Sequence, residues 1–172
     1  MLKVLGAVCV LLATVSGFAQ LRNALQQRVA ELRDWLAAVR LLQSEMNYGL
    51  LPLPRLCELA AGQIDGAVGQ FWQSLAAVLQ QGEPLALPEI WQQLLTAQSQ
   101  NWHLLPEDLQ TLTELGQGLG SSGLSNQQRL LALTEQRLQR LAAEADERRG
   151  RLARLLGGLG WCSGLLLVCL WL

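Results

Sequence analysis

Apolar positions change their rhythm along the chain. Residues 1–20, MLKVLGAVCVLLATVSGFAQ, are almost continuously apolar, with Lys3 the one charged side chain. Beyond them the apolar positions become periodic: Leu25, Val29, Leu32, Leu36 and Val39 alternate steps of four and three. That spacing makes one stripe on a helix, with Arg28, Arg33, Asp34 and Arg40 off it. No glycine or proline interrupts residues 18–48. The apolar start is therefore expected to run on as an amphipathic helix to about Tyr48, where Gly49 supplies a C-terminal cap. Residues 155–172, LLGGLGWCSGLLLVCLWL, are again free of charge. At about 1.5 Å rise per residue they make a helix roughly 27 Å long, close to the ~30 Å hydrocarbon core of a bilayer.

The middle reads as a series of helices. Gly49-Leu-Leu-Pro52-Leu-Pro54 makes a turn, and Pro54 is expected to open a short helix that ends near Ala61, broken by Gly62. Val68, Phe71, Trp72, Leu75, Val78 and Leu79 form the face of the next helix, ended by the loop from Gln81 to Pro84. Pro88 and Pro106 each suit a helix start, with Ile90, Trp91, Leu94 and Leu95 facing inward from the first and Leu109, Leu112 and Leu115 from the second. A glycine-rich break is expected at residues 116–123. Ser125 with Gln128 is a capping box for the last helix. From there Leu131, Thr134, Leu138, Leu141, Ala145, Arg148, Leu152 and Leu155 form a near-heptad seam that leads into the apolar end, with Arg148 its charged member.

The expected fold is all-α: a helical bundle with two long antiparallel helices continuing into N- and C-terminal transmembrane spans. Residues 1–20 and 155–172 are the spans, and residues 21–154 are the bundle domain. No run of alternating β-branched or aromatic residues predicts a strand. Trp35, Trp72 and Trp91 fall on or beside apolar faces and suit a core or a partner surface.

Charge orients this picture. Arg22, Arg28, Arg33, Arg140, Arg148, Arg149, Arg151 and Arg154 flank the apolar ends on the domain side, against Lys3 on the other. Positive flanks stay cytoplasmic, so the central domain is expected inside and both termini outside. Arg148, Arg149, Arg151 and Arg154 also suit contact with anionic lipid. Gly160 and Gly164 are a small-xxx-small pair suited to packing between spans. The rival reading takes Gly17-Phe18-Ala19 as a cleavage site, which leaves a C-terminally anchored extracytoplasmic binding protein. A net charge of −1 argues against a nucleic-acid partner. Of the four cysteines, Cys57 alone lies in the middle domain, so no disulfide framework is expected there.

Little suggests catalysis. Gly118-Leu-Gly120-Ser-Ser-Gly123 matches a dinucleotide-binding pattern, but a helix rather than a strand precedes it, and a hinge between helices is the better reading. His103, the single histidine, lacks neighbours at metal-ligand spacing and suits a loop at a helix boundary. No serine or cysteine sits in a nucleophile elbow. Neither an enzyme nor a cofactor is expected.

The order of features resembles the stage III sporulation protein AB family of endospore-forming bacteria. The resemblance rests on the start Met1 to Ala7, on Leu42-Gln-Ser-Glu45-Met-Asn-Tyr48-Gly49-Leu-Leu-Pro52-Leu53, and on Leu115-Gly116-Gln-Gly-Leu119-Gly120 followed by Gln127 or Gln128. Leu159-Gly160 and Gly164-Leu-Leu-Leu-Val complete it. It covers nearly the whole chain, and Glu45-x-x-Tyr48-Gly49-x-x-Pro52-Leu53 is its most specific part. Leu51 stands where a polar residue is expected before Pro52. The resemblance implies a non-catalytic platform subunit of a secretion-like complex between mother cell and forespore, acting at engulfment. It further implies a soluble domain like the cytoplasmic domain of the type II secretion system F protein. Implied partners are other stage III sporulation membrane proteins, a secretion-type ATPase and the bilayer. The implied location is the mother-cell membrane facing the forespore.

Overall fold

The computed structural model describes residues 2–48, 51–82, 85–119 and 124–171, with side chains for 20–46, 51–82, 85–119 and 126–152. Two long helices frame it, α1 (Leu2–Tyr48) and α6 (Leu124–Trp171). Between them lie α2 (Leu53–Gln63), α3 (Gly66–Gln81), α4 (Leu87–Gln98) and α5 (Pro106–Leu119), with a 3-10 turn, Ser99–Asn101, between α4 and α5. Every element among the described residues is helical.

α1 and α6 pack side by side over their described side chains. Arg40 Nε donates to Glu135 Oε1 at 2.8 Å, and Arg33 Nη2 lies 3.8 Å from Asp146 Oδ1. The partner's number falls on α6 as it rises on α1, so the two helices lie side by side with opposed chain directions. On α1 the buried stripe is Val29, Leu32, Trp35, Ala38, Val39 and Leu42. It includes Trp35 in place of the expected Leu36, and the expected members Leu25 and Leu36 are only partly buried. The arc is wide because α1 meets α6 on one side and α2 and α3 on the other. On α6 the seam Leu131, Thr134, Leu138, Leu141 and Ala145 is buried.

Several local expectations are corrected. Arg148 is exposed rather than seated on the seam. A straight helix drifts about 20° per heptad from a 3.5-residue repeat, which carries Arg148 off the seam line. Gly62 does not break α2, in which Leu53 rather than Pro54 comes first. The helix runs one residue past Gly62, and Ile64 then turns extended with its N–H on Ala60 O. Gly66 starts α3 at φ +74, the left-handed backbone that glycine adopts without penalty. α4 begins at Leu87, one residue before Pro88. Residues 116–119 belong to α5 and are not part of a break. α6 begins at Leu124, so Ser125 falls inside it and not at its N-cap; the Ser125 side chain lies outside the described residues.

Trp35 is the hub of the core. Its ring centroid lies 5.1 Å from Phe71, 5.6 Å from Trp72, 5.7 Å from Trp102 and 6.0 Å from Trp91. These tilted and edge-on arrangements match the quadrupole preference of aromatic pairs. Trp91 Nε1 donates to Leu112 O at 3.0 Å, which ties α4 to α5. One aromatic knot therefore joins α1, α3, α4 and the segment before α5.

Among the described residues no helix is long and apolar enough to cross a membrane. Apart from Gln20, the two terminal stretches expected to span, with Gly160 and Gly164, lie outside the residues whose side chains are described.

Candidate functional site

The segment Leu105-Pro106-Glu107-Asp108 begins α5. Proline suits the first helical position because its missing N–H has no partner there anyway. Asp108 Oδ2 accepts the Leu105 N–H at 2.8 Å, while the Asp108 N–H donates to Leu105 O at 3.0 Å. This reciprocal cap fixes the carboxylate. Arg28 of α1 then grips it with two bonds, Nε to Oδ2 at 2.8 Å and Nη2 to Oδ1 at 2.9 Å, and Nη2 also reaches Glu107 Oε1 at 3.1 Å. Arg28 is 3% exposed and Asp108 is fully buried. The hydrogen bond to Asp108 raises the Arg28 pKa, against the opposing effect of burial. Periodicity places Arg28 off the apolar stripe, and charge counting sets it among the membrane-flanking basic residues. In the fold it is a buried clamp, because its neutralising partner comes from 80 residues away. The one sequence signal for this partner is an acid at the third position of a helix that opens with proline.

A second polar link lies beside the first. The His103 N–H donates to Glu31 Oε2 at 2.8 Å, and His103 Nδ1 lies 3.1 Å from Glu31 Oε1. His103 is thus a loop residue at a helix boundary, tied to α1. Asp34, one turn along, has its pKa raised, first by burial and then by Glu31 and Asp65. Cys57 is fully buried, and burial pushes its thiol up to about 12, so it has little thiolate character. Among the described residues no three metal-binding side chains come together.

The expected site residues divide by place. Glu45 is half-buried near the end of α1, while the side chains of Tyr48 and Gly49 lie outside the described residues. Pro52 is exposed, and its carbonyl accepts the N–H groups of Arg55 at 2.9 Å and Leu56 at 3.2 Å at the start of α2. Leu53 packs partly against the core. Leu115, Gly116 and Leu119 are buried in α5, and Gly120 lies outside the described residues. A Cβ on Gly116 would stand 2.1 Å from Trp91 Cδ1, so only glycine lets that ring lie on α5. Gln127 Nε2 donates to Leu119 O at 2.8 Å and satisfies a carbonyl in the last turn of α5. Eight residues beyond Arg40 is Tyr48, and eight before Glu135 is Gln127. By this register the two motif segments lie at the same end of the bundle, away from Arg28.

Of the basic cluster, Arg148 and Arg151 are exposed and Arg149 is half-buried. Arg149 pairs with Asp146 at 2.6 Å and Arg151 with Glu147 at 2.8 Å. The Arg154 side chain lies outside the described residues. Gly118, the first glycine of the dinucleotide-like pattern, sits within α5, where a Cβ would meet Leu130 Cδ2. The described side chains thus build a stiff frame: a clamp at one end of α5, an aromatic knot in the middle and a glutamine cap at the other end.

Comparison with known proteins gives a consistent result. Residues 3–172 match the family model described as stage III sporulation protein AB. Stage III sporulation protein AB of Bacillus subtilis (strain 168) is 27% identical over 170 residues, covering 99% of this chain and 99% of that protein. A solved structure, stage III sporulation protein AB (SpoIIIAB), superposes with a TM-score of 0.68 at 23% identity. It covers 73% of this chain and 98% of its own, which supports the helical fold.

Proposed function

Because the chain belongs to the stage III sporulation protein AB family, we propose that it is a non-catalytic membrane platform subunit of the stage III sporulation complex between mother cell and forespore. In this reading residues 1–20 and 155–172 are antiparallel spans in the mother-cell membrane, and residues 21–154 form a cytoplasmic helical domain. That domain resembles the type II secretion system F protein and passes conformational change from a secretion-type ATPase to membrane partners of the same complex.

The observation that carries this reading is the register of α1 against α6. Thirteen residues before Arg33 is Gln20, and thirteen after Asp146 is Leu159. Twenty residues before Arg40 is again Gln20, and twenty after Glu135 is Leu155. The two apolar stretches, chosen from hydropathy alone, thus begin at the same height on neighbouring helices. That is the requirement for two spans entering one bilayer from one side. The clamp, knot and cap beneath them suit a body that transmits force.

Reporters inserted between Leu119 and Leu124 test the topology. A cytoplasm-only fluorescent reporter is expected to be active there and alkaline phosphatase inactive, and the opposite pattern would overturn the reading. Capture of the full chain from sporulating cells is expected to bring down envelope components and an ATPase of the complex. Recovery of neither would remove the platform role while leaving the topology intact.

A further inference from the structure

We propose that the loop before α5, with Leu105 at its tip, is a third membrane contact that rests in the lipid headgroup layer beside the two spans. The proposal depends on the two-span reading above.

The path of the loop sets its height. The Trp102 ring packs on Trp35, the His103 N–H bonds Glu31, and the Leu105 N–H bonds the Asp108 oxygen held by Arg28. These contacts step along α1 from 35 to 31 to 28, toward its apolar start. Pro106 then reverses the chain, and α5 runs away to Leu119 at the far end beside Gln127. The tip is therefore the part of the intervening segment that rises highest beside Arg28. Gln20 is eight residues, about 12 Å, above Arg28 along α1. Helical side chains tilt toward the helix N-terminus, so the Arg28 guanidinium stands above its own Cα, and Leu105 stands beside it. The headgroup layer extends about 5–7 Å below the hydrocarbon boundary, which brings the Leu105 side chain to its lower face.

The chemistry of the tip suits lipid. Leu104 packs against the core, but Leu105 is 36% exposed, and Leu21 at the same end is 48% exposed. The carboxylates around the tip are engaged, Glu107 and Asp108 by Arg28 and Glu31 by His103, which lessens repulsion from anionic headgroups. Arg22 and Arg148 stand exposed at the same end. A leucine in this setting gains by entering the interface, where apolar side chains insert about 5–10 Å.

Site-directed fluorescence on the full chain tests this. Cys9, Cys162 and Cys169 are replaced by alanine, and buried Cys57 stays as it is. Cysteine is then placed singly as Leu105→Cys, Leu21→Cys, Leu51→Cys or Leu85→Cys and labelled with a nitrobenzoxadiazole dye. The protein is reconstituted into phosphatidylethanolamine–phosphatidylglycerol vesicles that carry headgroup nitroxide. Quenching at 105 and at 21 is expected to exceed that at 51 and 85 by at least about two-fold, given the insertion depth of interfacial side chains. Quenching at 105 no greater than at 51, with strong quenching at 21, would overturn the loop contact and leave the spans standing. Quenching at 21 no greater than at 51 would overturn the two-span reading and the loop contact with it.

Discussion

The aromatic knot around Trp35 and the ion pair around Arg28 lie two helical turns apart on α1, yet opposite physics holds them. The knot is apolar area removed from water. That burial is non-directional, although the rings pack tilted and edge-on, and the Trp35 and Trp72 Nε1 atoms are buried there without a hydrogen-bond partner. The clamp is directional and desolvated. A buried ion pair adds little net stability over an apolar replacement, but losing one member strands a charge. The knot therefore stabilises through buried area, while the clamp fixes where α5 starts against α1.

The largest expected effect lies in the knot. Trp35→Ala should cost about 3–5 kcal/mol, as for other buried tryptophans. The check is chemical denaturation of the full chain in detergent, followed by near-ultraviolet circular dichroism. A loss under about 1 kcal/mol, the size of a surface change, would remove Trp35 as hub.

The clamp should respond as a unit. Arg28→Met or Asp108→Leu alone is expected to cost about 3–5 kcal/mol. The two together should recover most of that loss, because no uncompensated charge remains, and should fall short of the parent by about 0.5–2 kcal/mol for the lost cap on the Leu105 N–H. Additive losses in a double-mutant cycle would show that the pair acts like the knot, through packing alone.

Gly116→Ala sharpens the contrast between contact and charge. The new methyl has no room beside Trp91, and a loss of about 1–3 kcal/mol is expected from overpacking. Tryptophan emission should shift in the same variant as the Trp91 ring moves, and an unchanged spectrum with full stability would contradict the close approach.

The smallest effect is a pH dependence at Asp34. Its folded pKa is raised, chiefly by burial, so the fold disfavours the ionised form. The stability this contributes is fully present below the unfolded pKa, about 3.9, and is lost as pH rises through the folded value. Asp34→Asn should therefore melt higher than the parent at pH 7 and lose that advantage at pH 3. An equal advantage at both values would exclude the carboxylate as the cause.

Much of this was legible in the chain and some was not. The helical class, the proline starts near 88 and 106, and the inward residues Phe71, Trp72, Ile90, Trp91, Leu112 and Leu115 followed from a 3.6-residue period. Residues three or four apart share a helix face whatever packs on it. What followed from the sequence alone stops there, at elements and their apolar faces, because backbone geometry and hydropathy are local properties. Only the tertiary structure decided that Arg28 is buried while Arg33, also off the apolar stripe of α1, is exposed. The difference is the carboxylate of Asp108, which α5 brings from 80 residues away. It also decided that Gly116 is a seat for Trp91 and no hinge, since a close approach between two helices leaves no mark on either one until they meet.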